Sequence, residues 1–246
     1  CVSYDFDAYR FKSCLGGVSQ ENFPRKAVDF LLKDDFPKRL FNDFNCGSYL
    51  IGRAFPKRKV FIDGRTELYG NDFLKEYKKI TAADREAFKV FIDKYQIQGF
   101  LLTMTMSNFD KDLARYLLES SQWKLVFFDE SAFLFLKNEP RNQTLIGKYS
   151  FDLRSWSSPK PDYEAIATRI VYPKPYIKRA KILKELAYFK AAISEAKEAV
   201  KINRRCAEAY ELLAESYQEI GEHQSALENY SIAVDLVPHA MDRRNK

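Results

Sequence analysis

Two short runs place polar side chains directly behind apolar ones. The first is Phe41-Asn42-Asp43-Phe44-Asn45-Cys46-Gly47-Ser48-Tyr49-Leu50-Ile51, and the second is Val60-Phe61-Ile62-Asp63-Gly64-Arg65-Thr66-Glu67-Leu68-Tyr69-Gly70. If their apolar parts are neighbouring parallel strands, Asn42, Asp43, Asp63 and Arg65 converge at the carboxyl ends, where open α/β sheets bind ligands. A guanidinium offers paired N–H donors to a phosphate or carboxylate. These four residues, with Tyr49 and Tyr69 from the same runs, are therefore the candidate ligand-binding set. A second explanation stands beside this one. Asp63-Gly64 and Asn45-Cys46-Gly47 are turn-forming in their own right, and an Asp63–Arg65 or Asp43–Arg65 ion pair would do no more than fix loops.

Other chemistries find little support. The cysteines are Cys1, Cys14, Cys46 and Cys206, without a Cys-x-x-Cys pair, and the histidines are His223 and His239. Zinc sites of the usual ligand spacing are excluded on that count. No Cys/His or Ser/His/Asp nucleophile is in view, and no glycine-rich phosphate fingerprint follows the first strand. No catalytic residue, metal or cofactor is expected. Asp34/Asp35 and Asp129/Glu130 read as solvated turns. Cys1 and Cys14 either pair, in an oxidising compartment, or remain free thiols.

The net charge of +6, from 40 basic and 34 acidic residues, is mixed along the chain. Nucleic-acid binding usually requires a clustered basic face, and none is visible. No stretch reaches the roughly 18 to 20 apolar residues that span a bilayer. The chain opens on Cys1 and reads as a piece of a longer protein.

The elements that must position the candidate residues follow from periodicity. Helices are expected over Pro24–Leu32, Asp72–Lys79, Ala82–Tyr95 and Asn108–Ser120, with a helical turn over Gly47–Ala54. Strands are expected over Arg39–Phe44, Lys59–Asp63, Gly99–Met104, Lys124–Phe128 and Ala132–Leu136. The last two are joined by the tight Asp129-Glu130-Ser131 turn. The alternation predicts an α/β fold, a small and mostly parallel sheet with an antiparallel edge hairpin and flanking helices. The expected organisation is an N-terminal segment 1–20, an α/β domain 21–138, a proline-marked linker 139–172, helical repeats 173–240 and a tail 241–246.

The repeats have a register of 34 residues. With Ala207 as position 1, Tyr210, Leu213, Ala214, Tyr217, Gly221, Ala226, Tyr230, Ala233 and Pro238 fall where tetratricopeptide repeats place large, small, turn and helix-ending residues. Small residues let two antiparallel helices approach, large ones fill the space beside them, and glycine permits the turn. A weaker copy lies 34 residues earlier, with Tyr176, Ala180, Leu183, Ala192, Ala196 and Ala199 in register. Arg179 and Ala187 depart from the pattern at positions 7 and 15.

Residues 20 to 137 resemble the soluble part of multi-spanning bacterial membrane proteins of the glycosyltransferase C superfamily. The resemblance is carried by Pro24-Arg25-Lys26-Ala27-Val28-Asp29-Phe30-Leu31, Leu40-Phe41-Asn42-Asp43-Phe44, Gly47-Ser48-Tyr49-Leu50-Ile51, Phe55-Pro56 and Val60-Phe61-Ile62-Asp63-Gly64-Arg65 with Tyr69-Gly70. Trp123–Asp129 and Ala132–Leu136 complete it. It implies a parent with a membrane-helix bundle that carries any sugar-transfer chemistry, and an extracytoplasmic (periplasmic) soluble module. Tetratricopeptide repeats often follow in such chains. The expected function is thus a non-catalytic module that holds a protein, peptide or acceptor. The alternatives are an α/β domain binding or processing a small phosphorylated or sugar ligand, and a cytosolic repeat adaptor.

Overall fold

The run Gly99–Thr103 is apolar enough to need cover on both faces, and it forms a strand buried at every residue. The computed structural model of the chain describes residues 23–104, 110–158 and 172–236. Cys1, Cys14, the segment 1–20, Pro238 and the tail 241–246 lie outside the described residues. Two compact units are distinguished, one being Gln20–Asp152 and the other containing Leu153–Lys246.

In the first unit β1 is Leu40–Asn42, β2 Gly99–Thr103, β3 Trp123–Phe128 and β4 Ala132–Lys137, in the spatial order β1-β2-β4-β3. β1 and β2 are parallel, with Leu40 opposite Gly99 and Asn42 opposite Leu101. β4 runs antiparallel to both β2 and β3. The sheet is therefore mixed, and the expectation of a mostly parallel one is corrected. The reason lies in β4, whose residues Ala132 to Leu136 are all fully buried. A strand without a polar edge belongs in the middle, so β4 sits between β2 and the more exposed β3.

Helices cover both faces. α1 (Arg25–Lys33), α2 (Gly47–Ala54) and α6 (Gln143–Tyr149) bring Ala27, Val28, Leu31, Leu50 and Ile146 against Leu101, Leu134 and Leu136. On aromatic packing the other face joins α3 (Asn71–Thr81), α4 (Arg85–Tyr95) and α5 (Lys111–Glu119) to the sheet. Phe100 stacks on Phe88 at 5.6 Å and meets the Trp123 ring edge-on at 4.8 Å, while Phe41 stacks on Tyr77 at 5.5 Å.

Two further expectations are corrected. Lys59–Asp63 does not pair as a strand, for reasons given with the site below. The supposed linker from residue 139 begins with a 3₁₀ turn, Pro140–Asn142, and then α6. It is structured because Ile146, Leu145 and Tyr149 pack into the core, Asn142 Nδ2 donates to the Lys137 carbonyl at 2.9 Å, and Phe151 N–H donates to Leu125 O at 3.2 Å.

Among the described residues the second unit holds four helices, α7 (Lys174–Glu185), α8 (Phe189–Ile202), α9 (Ala207–Glu219) and α10 (His223–Leu236). Each packs against the next, and α7 also reaches α9. Ala180, Ala196, Ala199 and Ala214 are fully buried, and Ala226 and Ala233 nearly so. Arg179, where the register asks for an apolar residue, is buried with its Nε 2.8 Å from Glu195 Oε2 and its guanidinium over the Tyr176 ring.

The two turns repeat each other atom for atom. Ala187 N–H donates to Lys184 O, Tyr188 N–H to Leu183 O and Ala192 N–H to Tyr188 O. Thirty-four residues on, Gly221 N–H donates to Gln218 O, Glu222 N–H to Tyr217 O and Ala226 N–H to Glu222 O. Both turn residues are left-handed, Ala187 at φ 63° and Gly221 at φ 80°. Charge does not follow the same symmetry. Residues 174–202 carry eight Lys/Arg against three Glu, whereas residues 207–236 carry seven carboxylates and neither Lys nor Arg. Lys181 pairs with Glu208 and Lys184 with Glu215 across α7 and α9.

A side chain in the left-handed region costs about 1 to 2 kcal/mol, partly offset by the entropy a glycine loses on folding. Ala187→Gly should therefore stabilise the helical unit by roughly 0.5 to 1 kcal/mol, and Gly221→Ala destabilise it by a similar amount. Urea unfolding of the full chain followed by circular dichroism at 222 nm would read the two opposite shifts in midpoint.

Candidate functional site

Asn42 ends the short strand β1 and Asp43 follows it, next to the carboxyl end of β2, at the place where open sheets form a crevice. Both side chains are buried. The Asn42 amide donates to Ile62 O at 2.7 Å and Asp43 O at 2.9 Å, and its oxygen accepts from Phe61 N–H at 2.7 Å. The segment Val60–Asp63 thus runs beside β1 at the distance of a side chain, held by one amide and not by a backbone ladder. That is why it is not a strand. Helix α2 starts against the same segment. A Cβ on Gly47 would lie 2.1 Å from Ile62 O and 2.6 Å from Asp63 Cα, so close approach, not turn conformation, requires this glycine.

Asp43 is bound from three sides. Thr103 at the end of β2 donates through its hydroxyl to both carboxylate oxygens, at 2.8 and 2.7 Å, and through its backbone N–H. Cys46 N–H donates to Asp43 Oδ1 at 3.1 Å, capping the turn before α2. Burial raises the Asp43 pKa against the pull of these donors. Burial and the neighbouring Asp43 carboxylate raise the Cys46 thiol well above its usual range.

Asp63 lies 20 residues on and is equally engaged. Arg65 donates to it through Nε at 2.9 Å, Nη2 at 2.7 Å and the backbone N–H at 2.9 Å. Tyr69 donates its hydroxyl to Asp63 Oδ2 at 3.1 Å and accepts from Asp63 N–H at 3.2 Å. The guanidinium holds the Asp63 carboxyl well below the usual carboxylate range, and Arg65 is raised in return. Arg65 leaves 57% of its side chain exposed beside a carboxylate that is 1% exposed.

The candidate residues therefore divide into two networks and a bystander. Asn42 joins the two networks through the Val60–Asp63 backbone, so the sequence placed these residues in one neighbourhood. The expected Asp43–Arg65 alternative is not the pairing found: Arg65 takes Asp63. Tyr49 stands apart, stacked on Phe23 at 5.0 Å in a shallow groove with Arg25 and Arg53.

Three residues escaped sequence reasoning. Thr103 is the polar end of an apolar strand, a signal that was present. Tyr77 accepts from Phe44 N–H at 2.9 Å, and burial raises its phenol; its place on α3 gave no hint of this. Asp110, ahead of α5, is pushed up to about 6 by burial, then by Asp43 and Asp112. Among the described residues no group of three or more His, Cys, Asp or Glu side chains is placed to hold a metal ion, and no helix is long and apolar enough to cross a membrane. Cys46 and Cys206 are buried free thiols.

Compared with models of known protein families, with curated proteins and with solved structures, the chain matches none.

Two measurements check this geometry. Asn42→Leu keeps the volume but strips the partners from Phe61 N–H and Ile62 O, and should lower stability by about 3 kcal/mol at one to three per orphaned group. Asp110 has a folded pKa above the unfolded value near 4, so its contribution to stability is present below that value and is lost as pH rises toward 6. Urea midpoints of the protein and of Asp110→Asn should therefore converge at pH 4. The variant should show less decline between pH 4 and 6.

Proposed function

We propose that this chain is a non-catalytic extracytoplasmic module of a membrane protein similar to the glycosyltransferase C superfamily. Its paired helical hairpins, of tetratricopeptide type, hold a protein or peptide. The observation that carries this reading is the recurrence of the turn hydrogen bonds and left-handed residues at an interval of 34 residues. Hairpins stacked in this way expose long helical faces, which is how repeat proteins bind extended partners.

The α/β unit supports the non-catalytic part of the reading. The carboxylates of Asp43 and Asp63, the best placed acid or base groups in the sequence, accept hydrogen bonds from Thr103, Cys46, Arg65 and Tyr69. A base must reach a substrate proton, and these groups face their own backbone and neighbours. Arg65 keeps a solvent face, with 57% of its side chain exposed. It favours the second reading, an anionic small ligand at the Asp63–Gly64–Arg65 turn.

Capture from detergent-solubilised cell envelope tests the choice. Ala214 is fully buried, so Ala214→Glu places an unpaired carboxylate between α9 and α10 and should open that hairpin. The partner should be lost from this variant while hydrogen exchange still shows β2 and β4 protected. Undiminished capture with an opened hairpin would remove the repeats from the binding role. Saturable heat on titration with nucleotide sugars or phospholipid headgroups, abolished in Arg65→Ala, would favour the second reading.

A further inference from the structure

The 34-residue register permits a comparison within one molecule. On α8, Ile193 and Ala196 are buried and Val200 is half-buried. They share a cluster with Ala209, Leu212 and Leu213 of α9, which lies on that face. Thirty-four residues later the same positions on α10 are Leu227, Tyr230 and Val234. Leu227 is 65% exposed and Val234 67%. The spacing i, i+3, i+7 makes one stripe without a charged residue in it. Among the described residues, one such face is thus covered by a helix and its equivalent is not.

Charge specifies the occupant further. α9 presents carboxylates to the basic first hairpin, where Glu208 and Glu215 meet Lys181 and Lys184. The second hairpin carries seven carboxylates and no Lys or Arg, and Glu219, Glu222, Glu228 and Asp235 line or approach α10 without a cation partner among the described residues. A helix that repeats the chemistry of α9 at this end must reverse its sign.

We propose that the Leu227–Tyr230–Val234 face of α10 is a docking site for a basic amphipathic helix of a partner protein. Such a helix presents small and leucine side chains in the order of Ala209, Leu212 and Leu213, flanked by Lys or Arg. This rests on the protein-binding reading given above and narrows it to one face and one class of ligand. Apolar contact supplies the affinity, and the acidic rim selects the basic partner and speeds its encounter.

The test uses the full chain and two labelled peptides. One has the sequence Ala207–Gly221, with Glu208, Glu211, Glu215 and Glu219 each changed to Lys; the other keeps the four glutamates. Fluorescence anisotropy should show saturable binding of the lysine peptide that weakens with added salt. The glutamate peptide should bind at least about tenfold more weakly, a difference of 1.4 kcal/mol. Leu227→Ser with Val234→Ser changes only exposed side chains, leaves the charge alone, and should weaken the lysine peptide by a similar factor with an unchanged melting curve. Absence of saturable binding, or equal binding to this variant, overturns the proposal. A cell-envelope partner still captured by the serine variant but lost from Ala214→Glu would leave the repeat-binding reading standing and remove only the α10 site.

Discussion

The first unit depends on the side-chain amide of Asn42. Two strands, β1 and β2, pair through their backbones, but β1 is only three residues long and among the described residues its far edge meets no strand. An unpaired edge of this kind must be covered or its backbone groups left without partners. Asn42 covers it by acting as a rung, one acceptor and two donors filled at 2.7 to 2.9 Å. The amide holds Val60–Asp63 in an extended path farther from β1 than a ladder would allow. That offset makes room for Ile62, which is fully buried, and brings the segment against Gly47. The glycine, the asparagine and the aspartates of this region are thus parts of one arrangement. Asn42 fixes the path, Gly47 admits α2 against it, Asp43 ties β1 to Thr103, and Asp63 closes the turn with Arg65 and Tyr69.

This arrangement also decides what the acidic groups can do. A carboxylate becomes a base or a ligand when its lone pairs face a cavity. Asp43 and Asp63 instead face donors contributed within the unit, and their pKa values move in opposite directions for identifiable causes. Burial dominates at Asp43, and the guanidinium dominates at Asp63. Asp110 differs: burial and the repulsion of Asp43 and Asp112 raise it, and among the described residues no donor offsets them. It is the group through which mild acid should change the stability of this end of the sheet.

Much of the architecture could be read from the sequence, and the losses have physical causes. Helices with a clear 3.6-residue period, such as Arg85–Tyr95 with Phe88, Phe91 and Ile92 buried, were visible because one face alone is apolar. The apolar run Val60-Phe61-Ile62 has the composition of a strand, yet composition does not say whether a backbone or an amide will satisfy its polar groups. Strand order was equally hidden, because β4 reads as an edge hairpin by its connection and as a central strand only by its burial. The segment after Asn138 looked like a linker because of its prolines, although Pro140 starts a turn and the apolar Leu145, Ile146 and Tyr149 follow it at helical spacing. At the candidate site the sequence supplied the right neighbourhood and left open whether it was structural. Thr103 and Tyr69 occupy the Asp43 and Asp63 carboxylates, and these contacts depend on tertiary distance that the sequence does not display.

The second unit shows two turns of one hydrogen-bonding pattern, 34 residues apart, built on different residues. Position 15 calls for glycine because the chain must turn through the left-handed region. Ala187 makes that turn anyway, at φ 63°, so the packing of α7 on α8 outweighs the strain. Position 7 calls for an apolar side chain, and Arg179 fills it by lying over Tyr176 and pairing with Glu195. A buried pair of this kind contributes little net stability against its desolvation but penalises any register that separates the two charges. Both hairpins bury small residues, and the first adds the Arg179–Glu195 pair where the second has a glycine at its turn. The first is basic and the second acidic, which joins them through Lys181–Glu208 and Lys184–Glu215. The same asymmetry leaves α10, the last helix among the described residues, with carboxylates and neither Lys nor Arg along it.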